Sequence, residues 1–233
     1  HSTMRSCGCF PMAGGWAGWC GGAVVVGRVG AGAWTSPVRT PPLYPDAVTL
    51  SPSPSELELL GRIDRSPGCS VKDSFAKLDL APFGLDLLFD ATWIHRPPST
   101  TGPRPASPMR WNVVADTETL AVWESACAGE EGTSGLFVPG LLDDPAVTII
   151  AGFEGDTIVA GAVINESGDA VGISNVFAID DRVDETWTGC VEWISTVCPG
   201  RPIVGYEAAQ DLDAAVAIGF ETVGPLRVWL APG

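Results

Sequence analysis

Between Val147 and Ala178 the chain carries three β-prone apolar runs separated only by turn residues. Val147 to Phe153 and Thr157 to Ile164 are joined by Glu154-Gly155-Asp156, a tight hairpin signal. Asn165 to Asp169 then turns the chain into a third run, Ala170 to Ala178. Links this short return a strand antiparallel beside its predecessor, because a parallel return needs a crossover of about a dozen residues or more. Three consecutive antiparallel strands therefore anchor whatever fold the chain adopts.

The flanking segments add helices. Arg110 to Val114 reads as a strand, and Asp116 or Thr117 caps a helix with Leu120, Trp123 and Cys127 on one face. Leu136 to Asp144 reads as a loop or short helix. From Glu185 to Cys198, the residues Trp187, Cys190, Val191, Ile194, Val197 and Cys198 keep helical spacing until Pro199-Gly200 stops them. A strand from Pro202 to Tyr206, a helix from Leu212 to Ile218 closed by Gly219, and a last strand from Leu226 to Leu230 complete the chain. The order is β-α-(α)-β-β-β-α-β-α-β. It predicts a mixed α/β (α+β) domain over 109–233, with a mainly antiparallel sheet flanked by helices.

Two further segments precede this domain. Residues 1–45 read as a flexible leader: His1-Ser2-Thr3 before Met4 resembles a tag remnant, and a Gly-, Cys- and Trp-rich stretch runs on to a Pro-rich turn at Thr40 to Pro45. Residues 46–108 form an N-terminal extension ending in a linker, Arg96 to Pro108, that holds five prolines. Within the extension Ser55 caps a short helix with Leu57, Leu60 and Ile63 at helical spacing. Leu85 to Ile94 reads as a strand with apolar residues on both faces. That strand should be covered on both sides, pairing with the C-terminal sheet or with a partner chain.

Charge narrows the partners. The chain carries a formal net charge of −15. Up to Pro108 nine Lys and Arg face eight Asp and Glu, net +1, whereas from Met109 onward four face twenty, net −16. An acidic surface repels phosphate, so nucleic acid is excluded and basic or neutral substrates are favoured. No run of 18 or more apolar residues occurs, so no membrane span is expected. Seven cysteines without zinc-type spacing and two histidines give no metal site, and a reduced, cytoplasmic protein fits them best.

The element order and several local runs together resemble the GNAT acyl-CoA N-acetyltransferases, in a form similar to actinobacterial GNAT-like proteins. Gly152-Phe153-Glu154-Gly155-Asp156-Thr157-Ile158-Val159-Ala160-Gly161 is similar to the family hairpin whose second strand carries Val-Ala-Gly. Gly172-Ile173-Ser174-Asn175-Val176-Phe177 stands where the family's fourth strand would, and Pro199 to Glu207 where its fifth would. Gly219-Phe220-Glu221 before the closing strand resembles the family's Gly-Phe. The resemblance covers about half the chain, from Met109 on.

It implies acetyl-CoA as co-substrate, held where the fourth and fifth strands splay apart, and a small-molecule amine or peptide as acceptor. Asn175, Val176 and Phe177 would then bind the cofactor, with strand amides meeting the thioester carbonyl. The pyrophosphate would lie on the loop before the next helix, with Arg182 at the position of the motif's Arg. Here the chain departs from the family. Glu185 and Trp187 occupy the positions of the loop glycines, and Asp180, Asp181 and Asp184 crowd the same turn. Like charges 4 Å apart at an effective dielectric of about 20 repel by about 4 kcal/mol, half of a micromolar affinity. Helix capping by Asp184 and Glu185 is the plainer account of those carboxylates.

The usual general acid, a Tyr four residues before the Gly-Phe, is replaced by Ala215. Tyr206 at the end of the fifth strand is the substitute acid and Glu207 the candidate base, although adjacent strand residues point to opposite faces. Each also has a structural reading, Tyr206 as a core-edge aromatic and Glu207 as a solvated strand end. Arg182 has a rival role in pairing with Asp180 or Asp184, and Arg227 should pair with a carboxylate. Two functions are consistent with these residues: an N-acetyltransferase, or a non-catalytic GNAT-fold binding module that has lost its cofactor loop. A homodimer is allowed for.

Overall fold

The computed structural model describes residues 18–20, 23–25, 27–41, 44–98, 109–129, 135–180 and 182–233. The leader up to residue 17, most of the Pro-rich stretch and Asp181 lie outside the described residues. In chain order the first elements are β1 (Gly18–Cys20), β2 (Ala23–Val25), β3 (Arg28–Gly30), β4 (Ala33–Thr35), β5 (Ala47–Thr49), α1 (Glu56–Leu60), β6 (Ser70–Asp73) and β7 (Asp86–Arg96). Then come β8 (Arg110–Val113), α2 (Thr117–Ala128), β9 (Val147–Glu154), β10 (Thr157–Ser167) and β11 (Ala170–Ala178). The chain closes with α3 (Val183–Val197), β12 (Ile203–Glu207), α4 (Ala209–Ala217) and β13 (Glu221–Leu230). Two compact units divide these elements, 94–222 and 13–93 with 223–233.

In the second of these units the strands run β3-β4-β5-β6-β13-β7. The last strand of the chain thus sits beside β6, antiparallel from Arg227–Asp73 to Leu230–Ser70. Its other neighbour is β7, and Arg227 Nε donates to Asp90 Oδ1 at 2.8 Å, so the expected carboxylate partner is found. The expected pairing of β7 with the C-terminal sheet is found, since β13 lies beside it, but its faces are not fully covered: Leu87 and Leu88 are 44% and 36% exposed. Ser55 caps α1 as its sequence suggests, accepting from Glu58 N. The buried face is Leu59 and Leu60, however, and Leu57 is exposed, since a five-residue helix turns only part of its length inward. Two buried carboxylates fix loops in this unit. Asp46 accepts from Thr40 N and Ser70 N and pairs with Arg39, while Asp73 accepts from Lys77 N and Leu78 N.

The unit 94–222 orders its strands β12-β11-β10-β9-β8. Strands β9, β10 and β11 are consecutive and antiparallel, from Thr157–Glu154 at one hairpin to Ser167–Ala170 at the other. Helix α3 buries Trp187, Cys190 and Ile194 against Ile164, Val171 and Ile173. A second aromatic cluster lies apart from these residues, in which Trp123 of α2 meets Phe137 and Phe177 edge to face at 4.9 and 5.2 Å. Trp123 Nε1 donates to Ile150 O, and Gly161 makes room for it: a Cβ there would lie 2.2 Å from Trp123 Nε1. Helix ends move from their sequence-expected places by two or three residues, α3 beginning at Val183 and α4 at Ala209.

Candidate functional site

The sheet is irregular at β11, as it is between Ile158 and Ala160 of β10. Gly161 pairs with Phe177 and Val163 with Ser174, so two steps along β10 face three along β11. The extra residue is Asn175, at φ +52°. Asparagine is among the few non-glycine residues that enter this left-handed region readily, at a cost of about 1–3 kcal/mol. A bulge of this kind bends its strand and re-aims the side chains beyond it.

On the other side β11 pairs in parallel with β12 at Val171–Ile203 and Gly172–Val204, and among the described residues that ladder goes no further. The two strands therefore part just before the bulge. Asn175 and Val176 lack an opposite residue in both ladders. Ser174, Asn175, Tyr206 and Glu207 are all buried. Asn175 Nδ2 donates to Ser174 Oγ at 3.2 Å, and its Oδ1 is buried with no hydrogen-bond partner.

Each expected site residue can now be placed. Val176 packs into the α3 cluster, whereas the Phe177 side chain lies against Trp123 and leaves only its backbone toward the strand ladders. Tyr206 and Glu207 are the last two residues of β12, at the end that has left β11. Arg182 is the N-cap of α3, and its partner is Glu154 Oε2 at 2.9 Å rather than Asp180 or Asp184. A residue 28 positions away on the β9 turn reaches it, which nearest-neighbour reasoning misses. Asp180 holds a left-handed turn at φ +59°, and Asp184 and Glu185 are acidic residues in the first turn of α3. Asp181 lies outside the described residues.

Trp187 is not a loop residue. It is fully buried one turn into α3, with its ring edge to face on Phe220 at 5.6 Å. The segment that aligns with a phosphate loop is thus already helix by Val183, because Trp187 anchors the apolar stripe. Ala215 is likewise fully buried, and no hydroxyl stands there.

Sequence reasoning missed Glu124. It is buried on α2, and its Oε1 accepts from Leu136 N and, at 2.9 Å, from Phe137 N. No local pattern marks it, because the partners lie beyond a loop. Neither Cys69 nor Cys190 is a poised nucleophile: burial pushes the Cys190 thiol well up, and burial followed by the charge of Asp46 raises Cys69 to about 12. Among the described residues no group of His, Cys, Asp and Glu could hold a metal ion.

No family model and no curated protein matches the sequence. Solved structures do. A GCN5-related N-acetyltransferase from Kribbella flavida superposes with a TM-score of 0.60 at 16% identity, over 89% of this chain and 90% of that one. A protein assigned to the GNAT acetyltransferase family from Novosphingobium aromaticivorans gives 0.57 at 9% identity, over 89% and 92%. A conserved protein of unknown function from Staphylococcus epidermidis gives 0.54 at 10%, over 70% and 73%. The fold is GNAT-like.

The mixed, mostly antiparallel sheet flanked by helices is what these structures share. In this GNAT-like frame the parting of β11 from β12 is the place where a ligand can meet backbone groups not used by a ladder. The anion-favouring end of α3 beyond it is compromised by Asp180, Asp184 and Glu185, and the Arg182 guanidinium is committed to Glu154. Among the described residues no helix is long and apolar enough to cross a membrane.

Proposed function

We propose that the chain is an N-acetyltransferase that moves an acetyl group from acetyl-CoA to an amine of a small molecule or peptide. The observation that carries this reading is the bulge at Asn175 beside the end of the β11–β12 ladder. Backbone N–H groups of Asn175 and Val176 suit the thioester oxygen, whose charge grows as the amine attacks, and preorganised donors of this kind dominate such catalysis. Acetyl-CoA supplies the activated acyl group. Glu207 is the candidate to take the proton that the amine loses, and Tyr206 the candidate to return one to the departing sulfur. Strand alternation turns one of these two side chains toward the gap, so Tyr206→Phe and Glu207→Gln tell which role is filled. The net charge of −16 beyond Met109 favours cationic or neutral acceptors over acidic ones. The free cysteines among the described residues, Cys69, Cys127, Cys190 and Cys198, suit a reducing cytoplasm.

A second reading, a binding module without catalysis, draws on the other end of the site. Asp184 and Glu185 sit where phosphates would approach, and Arg182 is held by Glu154. Calorimetric titration with acetyl-CoA, then release of free CoA thiol with a panel of amines, separates the two. Binding with amine-dependent thiol release supports the enzyme. A folded protein that binds no acetyl-CoA at millimolar concentration sinks it and leaves the module.

A further inference from the structure

We infer that the side-chain oxygen of Asn175 is a positioning acceptor for a secondary-amide N–H on the extended arm of the acyl donor. This rests on reading the site as an acyl-CoA site, and extends it from the backbone to a side chain. The backbone alone does not call for asparagine: at φ +52° a glycine would be less strained. What asparagine adds is a carboxamide on a residue only 6% exposed. Its amino group is used by Ser174 Oγ at 3.2 Å, which orients the amide and leaves the oxygen as the open position. That oxygen has no donor, an arrangement rare for buried polar atoms and found where a ligand completes the set.

The location selects the chemistry of the ligand. Beyond Gly172–Val204 the β12 ladder stops, so an extended chain entering there meets strand-like donors and acceptors as a further strand would. A neutral acceptor in a buried setting suits a neutral N–H, and the pantetheine arm of acetyl-CoA carries two secondary amides. A charged ammonium would prefer a carboxylate.

The test compares three full-length proteins by calorimetry with acetyl-CoA: wild type, Asn175→Gly and Asn175→Asp. Glycine keeps the backbone conformation and its N–H groups but removes the acceptor, whereas aspartate keeps an acceptor oxygen. The expected result is at least a tenfold loss of affinity in Asn175→Gly, with an unfolding midpoint no lower than wild type, and a smaller loss in Asn175→Asp at high salt, where the retained oxygen accepts and its charge is screened from the phosphates. Equal binding by wild type and Asn175→Gly overturns this inference and leaves the acyl-CoA reading standing. Equal losses in both variants at high salt also overturn it, since an acceptor was retained in one. A wild type that binds no acetyl-CoA overturns both readings.

Discussion

Replacing Trp187 with glycine would look, from the family motif, like a repair of the cofactor loop; the structure makes it a core deletion. Trp187 is fully buried in α3 with its ring on Phe220, in one cluster with Cys190 and Ile194. Truncating a buried Trp to Ala costs about 3–5 kcal/mol through lost burial and the cavity left behind. Glycine within a helix adds about 1 kcal/mol. One term opposes these: Trp187 Nε1 is buried without a partner, so its removal relieves about 1–3 kcal/mol of unmet hydrogen bonding. The balance is a loss of about 1–5 kcal/mol, a sizeable part of the roughly 5–15 kcal/mol that holds a typical domain together. Urea unfolding monitored by far-ultraviolet circular dichroism reads it as a lower midpoint, with Trp187→Phe falling less because a ring still meets Phe220. A loss under about 1 kcal/mol, or tighter acetyl-CoA binding at undiminished stability, would refute the placement of residue 187 in the core.

Three other outcomes are expected. Asp184→Asn with Glu185→Gln, which touches no core contact, should tighten acetyl-CoA binding about tenfold, or 1.4 kcal/mol, and the gain should shrink with added salt in calorimetry. Glu124→Ala strips a charged acceptor from two backbone N–H groups and should destabilise by about 2–4 kcal/mol in urea unfolding, with Glu124→Gln losing less. Asp116 is held below its ordinary 3.8 first by the Thr119 backbone N–H and then by the Thr119 hydroxyl. A depressed carboxylate stabilises above its ordinary pKa and loses that effect as pH falls through the folded value. Asp116→Ala should therefore lower the melting temperature at neutral pH and converge on wild type in strong acid.

Much of the fold was legible because its elements are periodic and its turns are short. The hairpins around Gly155 and Gly168, the caps Ser55 and Asp116, and the stripe of α3 all rest on neighbours within about a dozen residues. What stayed hidden depends on distance along the chain. The partner of Arg182 is Glu154, the partners of Glu124 lie past a loop, and β13 begins at Glu221 because its ladder is set by its neighbours rather than by its own exposed Glu221, Thr222 and Val223. At the candidate site the sequence marked Asn175, Tyr206 and Glu207 as polar residues at strand positions. It did not mark the bulge, because one extra residue leaves no compositional trace in a strand buried throughout.

That extra residue makes β11 readable in two frames. Val171 and Ile173 face α3, and so does Val176, three positions on, whereas Phe177 turns to Trp123. The strand thus carries one residue more than the packing of its two faces requires, held at φ +52°. Losing that residue would remove the bulge and restore plain alternation with Val176 still toward α3 and Phe177 still toward Trp123. The extra residue therefore serves the bend and not the core: a single-codon deletion at 175 would spare the packing on both faces and erase the left-handed backbone and the buried carboxamide together, separating the stability of this strand from whatever its bulge does.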